Sequence, residues 1–302
     1  MSSLSFRLGK IPVRIAPAFF FMTVLLGMAW TDLRVLVAWV AIVFVSVLLH
    51  ELGHAAMGMA FGLEPQIELH GMGGTTSWAV PRELSAARRI AISLAGPCAG
   101  FAVAALVRFG IGRAAFPPSP FGDLVYDNLL AVNFNWGVLN LLPMLPLDGG
   151  NVMAQALKAL TGGRGERAAR IISVVVAALA VVAAVLFGYW WGALLGFSFV
   201  ASNWRGLKEL SAREHDAPLQ AALKLAHDAL EAKDGARVLE LARPVALGSR
   251  SAPVRAEALH LLAFGFLLES RVADADAAIA ALPKGYSPHP SLLELRASLV
   301  GS

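Results

Sequence analysis

The chain has 302 residues, of which 57% are hydrophobic and only 15% charged, with a mean hydropathy of +0.64. A soluble domain carries about a quarter charged residues, so these figures exclude an ordinary soluble protein and point to a membrane protein. The pI of about 9.5 comes from Lys and Arg flanking apolar runs, which fits a membrane surface and leaves no nucleic-acid patch.

Charge divides the chain. Residues 1–210 hold 15 Lys/Arg and 10 Asp/Glu, whereas residues 211–302 hold 10 and 11. We therefore expect a membrane domain over 1–208 and a soluble domain over 209–302. The single cysteine, Cys98, can make neither an intramolecular disulfide nor a cysteine metal site and reads as a small buried hydrophobe.

In chain order, Arg7, Lys10 and Arg14 precede the uncharged run 15–31. No small-x-small cleavage site follows it, so it reads as an uncleaved first span. A second span begins at 35–49 and its helix must run on through His50 to about Phe61. Residues 90–107 form a third, and 124–142 a fourth, interrupted by Asp127, Asn128, Asn133 and Asn135. The uncharged run 171–204 would be about 51 Å long as one helix, too long for a bilayer core of about 30 Å. A break at Gly188-Tyr189-Trp190-Trp191-Gly192 makes it two spans and the total six. Lys and Arg then divide twelve to three between the two sides, which places both termini in the cytoplasm.

Between the second and third spans, Gln66-Ile67-Glu68-Leu69-His70 alternates polar and apolar residues and is followed by Gly71-Met72-Gly73-Gly74-Thr75-Thr76, a strand, a glycine turn and a second strand. Beyond Leu210, the stretches 218–233, 236–247, 253–270, 272–282 and 291–299 have the apolar spacing of soluble helices and pair into hairpins of roughly 34 residues, like tetratricopeptide repeats. The expected fold class is mainly α: a polytopic α-helical membrane protein of about six transmembrane helices, with a short β hairpin near the site and a C-terminal soluble helical repeat domain.

The chemistry concentrates in His50-Glu51-Leu52-Gly53-His54, an H-E-x-x-H motif. Histidines at i and i+4 share one helix face and can reach one Zn²⁺ together. Glu51 is placed to take a proton from a zinc-activated water. Random order of this composition gives about 0.006 such motifs, and ionisable groups at membrane depth are functional by default. A catalytic zinc needs a third protein ligand. His215, His227, His260 and His289 lie in the tail, and His70 in the hairpin. Asp148 follows a helix-breaking pair, Pro143 and Pro146, where an acid is either a metal ligand or the N-cap of the next helix.

His50–His54 in an apolar helix, together with N-x-x-P-x-x-P-x-D-G at residues 140–149, resembles the site-2 proteases, a family of intramembrane zinc metalloproteases. The resemblance covers about residues 6–205. It implies that His50, His54 and Asp148 bind Zn²⁺, that Glu51 is the general base, and that Asn140 contacts the substrate or the developing oxyanion. It matches Gly73-Gly74 to the family's strand region beside the active site, where substrate binds, and Ala95-Gly96-Pro97 to its G-P motif. Ala99-Gly100-Phe101 departs from the family, many of whose members have an asparagine there.

The expected partner is a membrane-protein substrate, its unwound transmembrane helix lying along a strand edge within 66–78; a hairpin that only packs on the core is the alternative. Residues 209–302 would bind a cytoplasmic regulator or another copy of the chain, or act as a passive cap. The rival functions are a non-proteolytic membrane adaptor working through its tail, and a metal transporter. The transporter lacks the expected internal repeats.

Overall fold

The computed structural model describes residues 3–28, 30–80, 82–162 and 164–300. It divides into two compact units, Met1–Trp204 and Arg205–Ser302.

The first unit opens with strands β1 (Leu4–Leu8) and β2 (Ile11–Ile15), joined at Gly9, whose φ of +58° suits glycine. Helices α1 (Pro17–Leu26) and α2 (Leu33–Ala60) follow, then β3 (Pro65–His70) and β4 (Gly73–Trp78). The four strands form one sheet in the order β1-β2-β3-β4. Both hairpins are antiparallel, and β2 joins β3 in parallel, with Val13 opposite Ile67 and Ile15 opposite Leu69. Val13, Ile15, Ile67 and Leu69 pack with Phe19, Val47 and Ala55 into one core cluster, so the sheet lies against α2. β4 ends that order and, among the described residues, pairs with β3 alone, which leaves its outer edge without a strand partner.

The sequence reading is corrected at the N-terminus. The expected first span, 15–31, begins in strand β2, and its helix α1 has ten residues, about 15 Å. That is half of a bilayer core. The alternation of Phe6, Leu8, Ile11, Val13 and Ile15 around Gly9-Lys10 is a hairpin pattern masked by the apolar run after it. The glycine turn between the two expected strands falls on Gly71-Met72, and Gly73 and Gly74 open β4.

Four further helices complete the unit: α3 (Ala86–Ala105), with a π-helical continuation at Leu106–Ile111, α4 (Pro120–Asn140), α5 (Asp148–Leu160) and α6 (Glu166–Leu186). A long helix, α7 (Trp190–Asp216), begins in the first unit and ends in the second. The break in the long uncharged run falls at 187–189, where Gly188 has φ +75°. Among the described residues, three helices are long and apolar enough to cross a membrane: Leu33–Ala60, Ala86–Ile111 and Glu166–Leu186.

Packing within α6 is inverted relative to a soluble helix. Its small residues Ala169, Ser173 and Ala177 are buried, while Val175, Leu179, Val182 and Leu186 are exposed. A stripe of large apolar side chains facing outward at helical spacing is what a lipid-facing surface requires. Cys98 on α3 is likewise exposed, contrary to its expected burial; an apolar helix in lipid has no need to turn a thiol inward.

In the second unit α8 (Leu219–Glu231), α9 (Gly235–Gly248), α10 (Ala252–Leu268), α11 (Val272–Ala280) and α12 (Pro290–Val300) pack around a core that includes Leu223, Val238, Val245, Leu261, Leu267 and Leu292. α10 is the central element, with nine buried residues.

Asp216, at the end of α7, is fully buried. Burial pushes its carboxyl up, but the backbone N–H groups of Arg250 and Ser251 donate to its two oxygens at 2.8 and 2.7 Å, outweigh that effect and hold it below the usual carboxylate range. A lowered folded pKa contributes stability that is present above the unfolded value of about 3.9 and is lost as pH falls through the folded pKa. Asp216→Ala should lower the opening free energy of α8–α10 by about 2 kcal/mol at pH 7, read by hydrogen exchange on the full chain. The gap to the parent protein should close below about pH 4.

Candidate metal centre

The centre is built on a close helix crossing. On α2, Gly53 presents its hydrogen to α3: a Cβ there would come within 2.5 Å of the Ala95 carbonyl oxygen and 2.9 Å of the Ala99 Cβ. On α3, a Cβ at Gly96 would collide with His54 Nε2 and lie 2.8 Å from His50 Nε2. The small residues of Ala95-Gly96-Pro97 therefore have a local purpose, since they leave room for two imidazoles between the helices. His50, Glu51 and His54 are all more than nine-tenths buried.

Asp148 arrives from the other side. After α4 ends at Asn140, residues 141–147 run as turns and bends. Their backbone polar groups still need partners. The Leu145 N–H donates to Ser173 Oγ on α6 at 2.9 Å, and Asn203 Nδ2 on α7 donates to the Leu145 carbonyl at 2.7 Å. Ser173 and Asn203 are both buried, and neither stood out in the sequence, although Asn203 is an amide at the end of an uncharged run. Gly149 and Gly150 let this turn lie on the first turn of α5, because a Cβ at either would strike the backbone of residues 141–145.

Asp148 is the first residue of α5; the cap position belongs to Leu147, and no side-chain cap bond forms. Its carboxylate instead faces the two histidines. Asp148 Oδ2 is 3.1 Å from His50 Nε2, Asp148 Oδ1 is 3.4 Å from His54 Nε2, and the two Nε2 atoms are 3.2 Å apart. Ligands about 2.05 Å from one zinc at the corners of a tetrahedron stand about 3.3 Å from each other, a spacing that the two Nε2 atoms match, while each histidine meets a different oxygen of the same carboxylate at a similar distance. The tautomer fits as well. His54 Nδ1 sits 2.7 Å from the Ile92 carbonyl, where it must donate, which leaves the Nε2 lone pair for a metal. Among the described residues this is the only trio of His, Cys, Asp or Glu with ligand atoms within 4.8 Å of one another.

These residues line a cleft of about 540 Å³ with Glu51, Thr76, Trp136 and Asn140. Glu51 Oε2 accepts a hydrogen bond from Thr76 Oγ1 on β4 at 2.7 Å. Asn140 has one amide hydrogen committed to the Trp136 carbonyl of its own helix at 2.9 Å, leaving its second donor. Gly74 abuts Glu51 and Gly73 abuts Trp136, so both glycines border the cleft. His70 also lines it, but its Nε2 is 2.9 Å from Thr75 Oγ1. Another buried amide, Asn133 on α4, donates to Ser46 Oγ on α2 at 2.9 Å and ties the helix carrying Asn140 to the helix carrying His50.

Residues 123–184 match the family model of peptidase family M50. That segment contains Asn140 and Asp148. A putative zinc metalloprotease of Synechocystis sp. is 30% identical over 176 residues, covering 54% of this chain and 44% of that one. A zinc metalloprotease of Methanocaldococcus jannaschii is 30% identical over 173 residues, covering 52% and 46%. The chain thus spans less than half the length of these curated relatives. In fold, it is similar to the solved site-2 protease from Methanocaldococcus jannaschii, with a TM-score of 0.52 at 23% identity over 68% of this chain and 95% of that one.

Gly96→Ala should place its methyl against both imidazoles and weaken zinc binding by about 10–100-fold, measured by competition with a chromophoric chelator. Asp148→Ala should lower the zinc content of purified protein, whereas loss of a simple helix cap would leave metal stoichiometry unchanged.

Proposed function

We propose that the chain is an intramembrane zinc metalloprotease that hydrolyses peptide bonds within or near transmembrane segments of membrane proteins. The observation that carries this reading is the trio His50, His54 and Asp148, with donor atoms 3.1–3.4 Å apart and Glu51 beside them in the same cleft. The match to peptidase family M50 and the relatives named as zinc metalloproteases support it.

In this reading His50, His54 and Asp148 hold the zinc. A zinc ion there would supply Lewis-acid polarisation of the scissile carbonyl and make a water easier to deprotonate. Glu51 takes the water proton and delivers it to the leaving amine. The second amide hydrogen of Asn140 stabilises the developing oxyanion.

A helical substrate hides its carbonyls in its own hydrogen bonds and must unwind before hydrolysis. We read the free edge of β4, opening at Gly73 and Gly74, as the strand on which the unwound segment adds. The chain crosses the membrane several times. α2, α3 and α6 are each long and apolar enough to span the core, and in this reading α4, α7 and the N-terminal apolar run, whose helix α1 is short of a full span, bring the crossings to six. The excess of Lys and Arg then puts both termini in the cytoplasm. In this reading 209–302 is a tetratricopeptide-like helical unit that serves as a cytoplasmic docking unit for a regulator or a second copy.

A non-proteolytic adaptor is the competing reading. Glu51→Gln should keep zinc bound and lose at least about 10³-fold in turnover of a membrane-protein substrate. Undiminished cleavage by that variant would sink the protease assignment.

A further inference from the structure

Strand β4 does more than present an edge. Alternate residues along it point at α2. Gly74 lies against the Glu51 side chain: a Cβ there would come within 2.5 Å of Glu51 Cγ and 2.6 Å of Oε1, and the three nearest atoms all belong to that side chain. Two residues on, Thr76 Oγ1 is 2.7 Å from Glu51 Oε2 and 3.2 Å from the Glu51 carbonyl oxygen. Two further, the Trp78 ring covers Gly58, one helical turn beyond His54. The strand thus touches α2 at a two-residue period over the stretch that carries the H-E-x-x-H motif.

We propose that Thr76 is a positioning residue for Glu51, and that β4 aims the general base. This inference rests on the hydrolytic reading of the site. A glutamate side chain has three rotatable bonds, so a free carboxylate on α2 would sample several rotamers. The Thr76 hydroxyl, fixed by a β-branched side chain on a paired strand, holds one carboxylate oxygen and leaves Oε1 for the water proton. Gly74 supplies the space that this rotamer occupies. Because β4 is also the strand edge in the cleft, the peptide that adds to it is registered by the same backbone that aims the base. Threonine serves this purpose better than valine, which has its shape without its hydroxyl.

The test uses the full chain in detergent, with a fluorophore–quencher peptide containing one apolar span and a central Asn-Pro helix break. Thr76→Val should lower kcat about 10–100-fold, with KM, zinc stoichiometry and Tm within the scatter of the parent protein. Thr76→Ser should recover most of the loss. A side-chain-resolution structure of metal-free Thr76→Val should show the Glu51 carboxylate turned away from β4, a result independent of turnover. If Thr76→Val does not fold, Thr76→Ala decides, since it removes the hydroxyl that holds Glu51 Oε2 and should lower kcat without lowering zinc content or Tm. An unmoved Glu51, a kcat equal to that of the parent, or a kcat loss that tracks zinc content and Tm would overturn the inference. Glu51→Gln run in parallel separates the two claims. An active Glu51→Gln removes the protease reading itself, whereas an inactive one beside a fully active Thr76→Val removes only the positioning role.

Discussion

Two imidazole nitrogens and a carboxylate, all largely buried, sit within 3.4 Å of one another. The carboxylate carries only lone pairs, and His54, whose Nδ1 donates to the Ile92 carbonyl, presents one at Nε2. Such a cluster is unfavourable in a protein interior unless a cation or a proton lies among the donors, so the rest of the unit must hold it together against its own repulsion. The α2–α3 crossing through Gly53 and Gly96 does so from one side. The turn 141–147, anchored at Leu145 by Ser173 and Asn203, does so from the other. The energetic weight of the site therefore falls on residues that would bind no metal themselves. Exchanging the small residues or the two anchors for ordinary apolar side chains would preserve hydropathy and lose the geometry.

Membrane depth sharpens this constraint. Irregular backbone in an apolar phase is tolerated only where protein or a wet cavity satisfies it. The 141–147 turn meets the first condition through side-chain partners and the second through the cleft. The sheet meets it differently: each strand from β1 to β4 pairs with the next, while α2 covers one face. Large apolar residues are correspondingly displaced to the outside of α6, where burial by lipid replaces burial by protein.

Much of this was legible in the sequence. The H-E-x-x-H helix, the β3–β4 hairpin, the break near Gly188 and the five tail helices are local patterns, and each lies within a residue or a few of its expected place. Asp148 could not be placed by pattern, because a helix-start aspartate reads equally as a cap or a ligand until its neighbours across the chain are known. Ser173, Asn203 and Thr76 are silent for the same reason: their partners are 28, 58 and 25 residues away. The N-terminal strands failed for a different reason. Five-residue alternation is a weak signal beside a run of phenylalanines, and hydropathy counts both strand and short helix as span.

The open edge of β4 has a further consequence. A peptide that leaves its helix to join that edge gives up i→i−4 hydrogen bonds and gains inter-strand ones of similar strength, so the exchange is close to neutral in backbone bonding. What remains is the cost of unwinding, set by helix propensity and greatest for uninterrupted Leu and Ala. On the protease reading, discrimination among membrane segments would then follow their willingness to fray. Glycine, proline and asparagine near the cleft would mark a segment for cutting more than any side chain a pocket could recognise. The cleft would act as a probe of local helix stability, and its selectivity would be written in the substrate's folding thermodynamics.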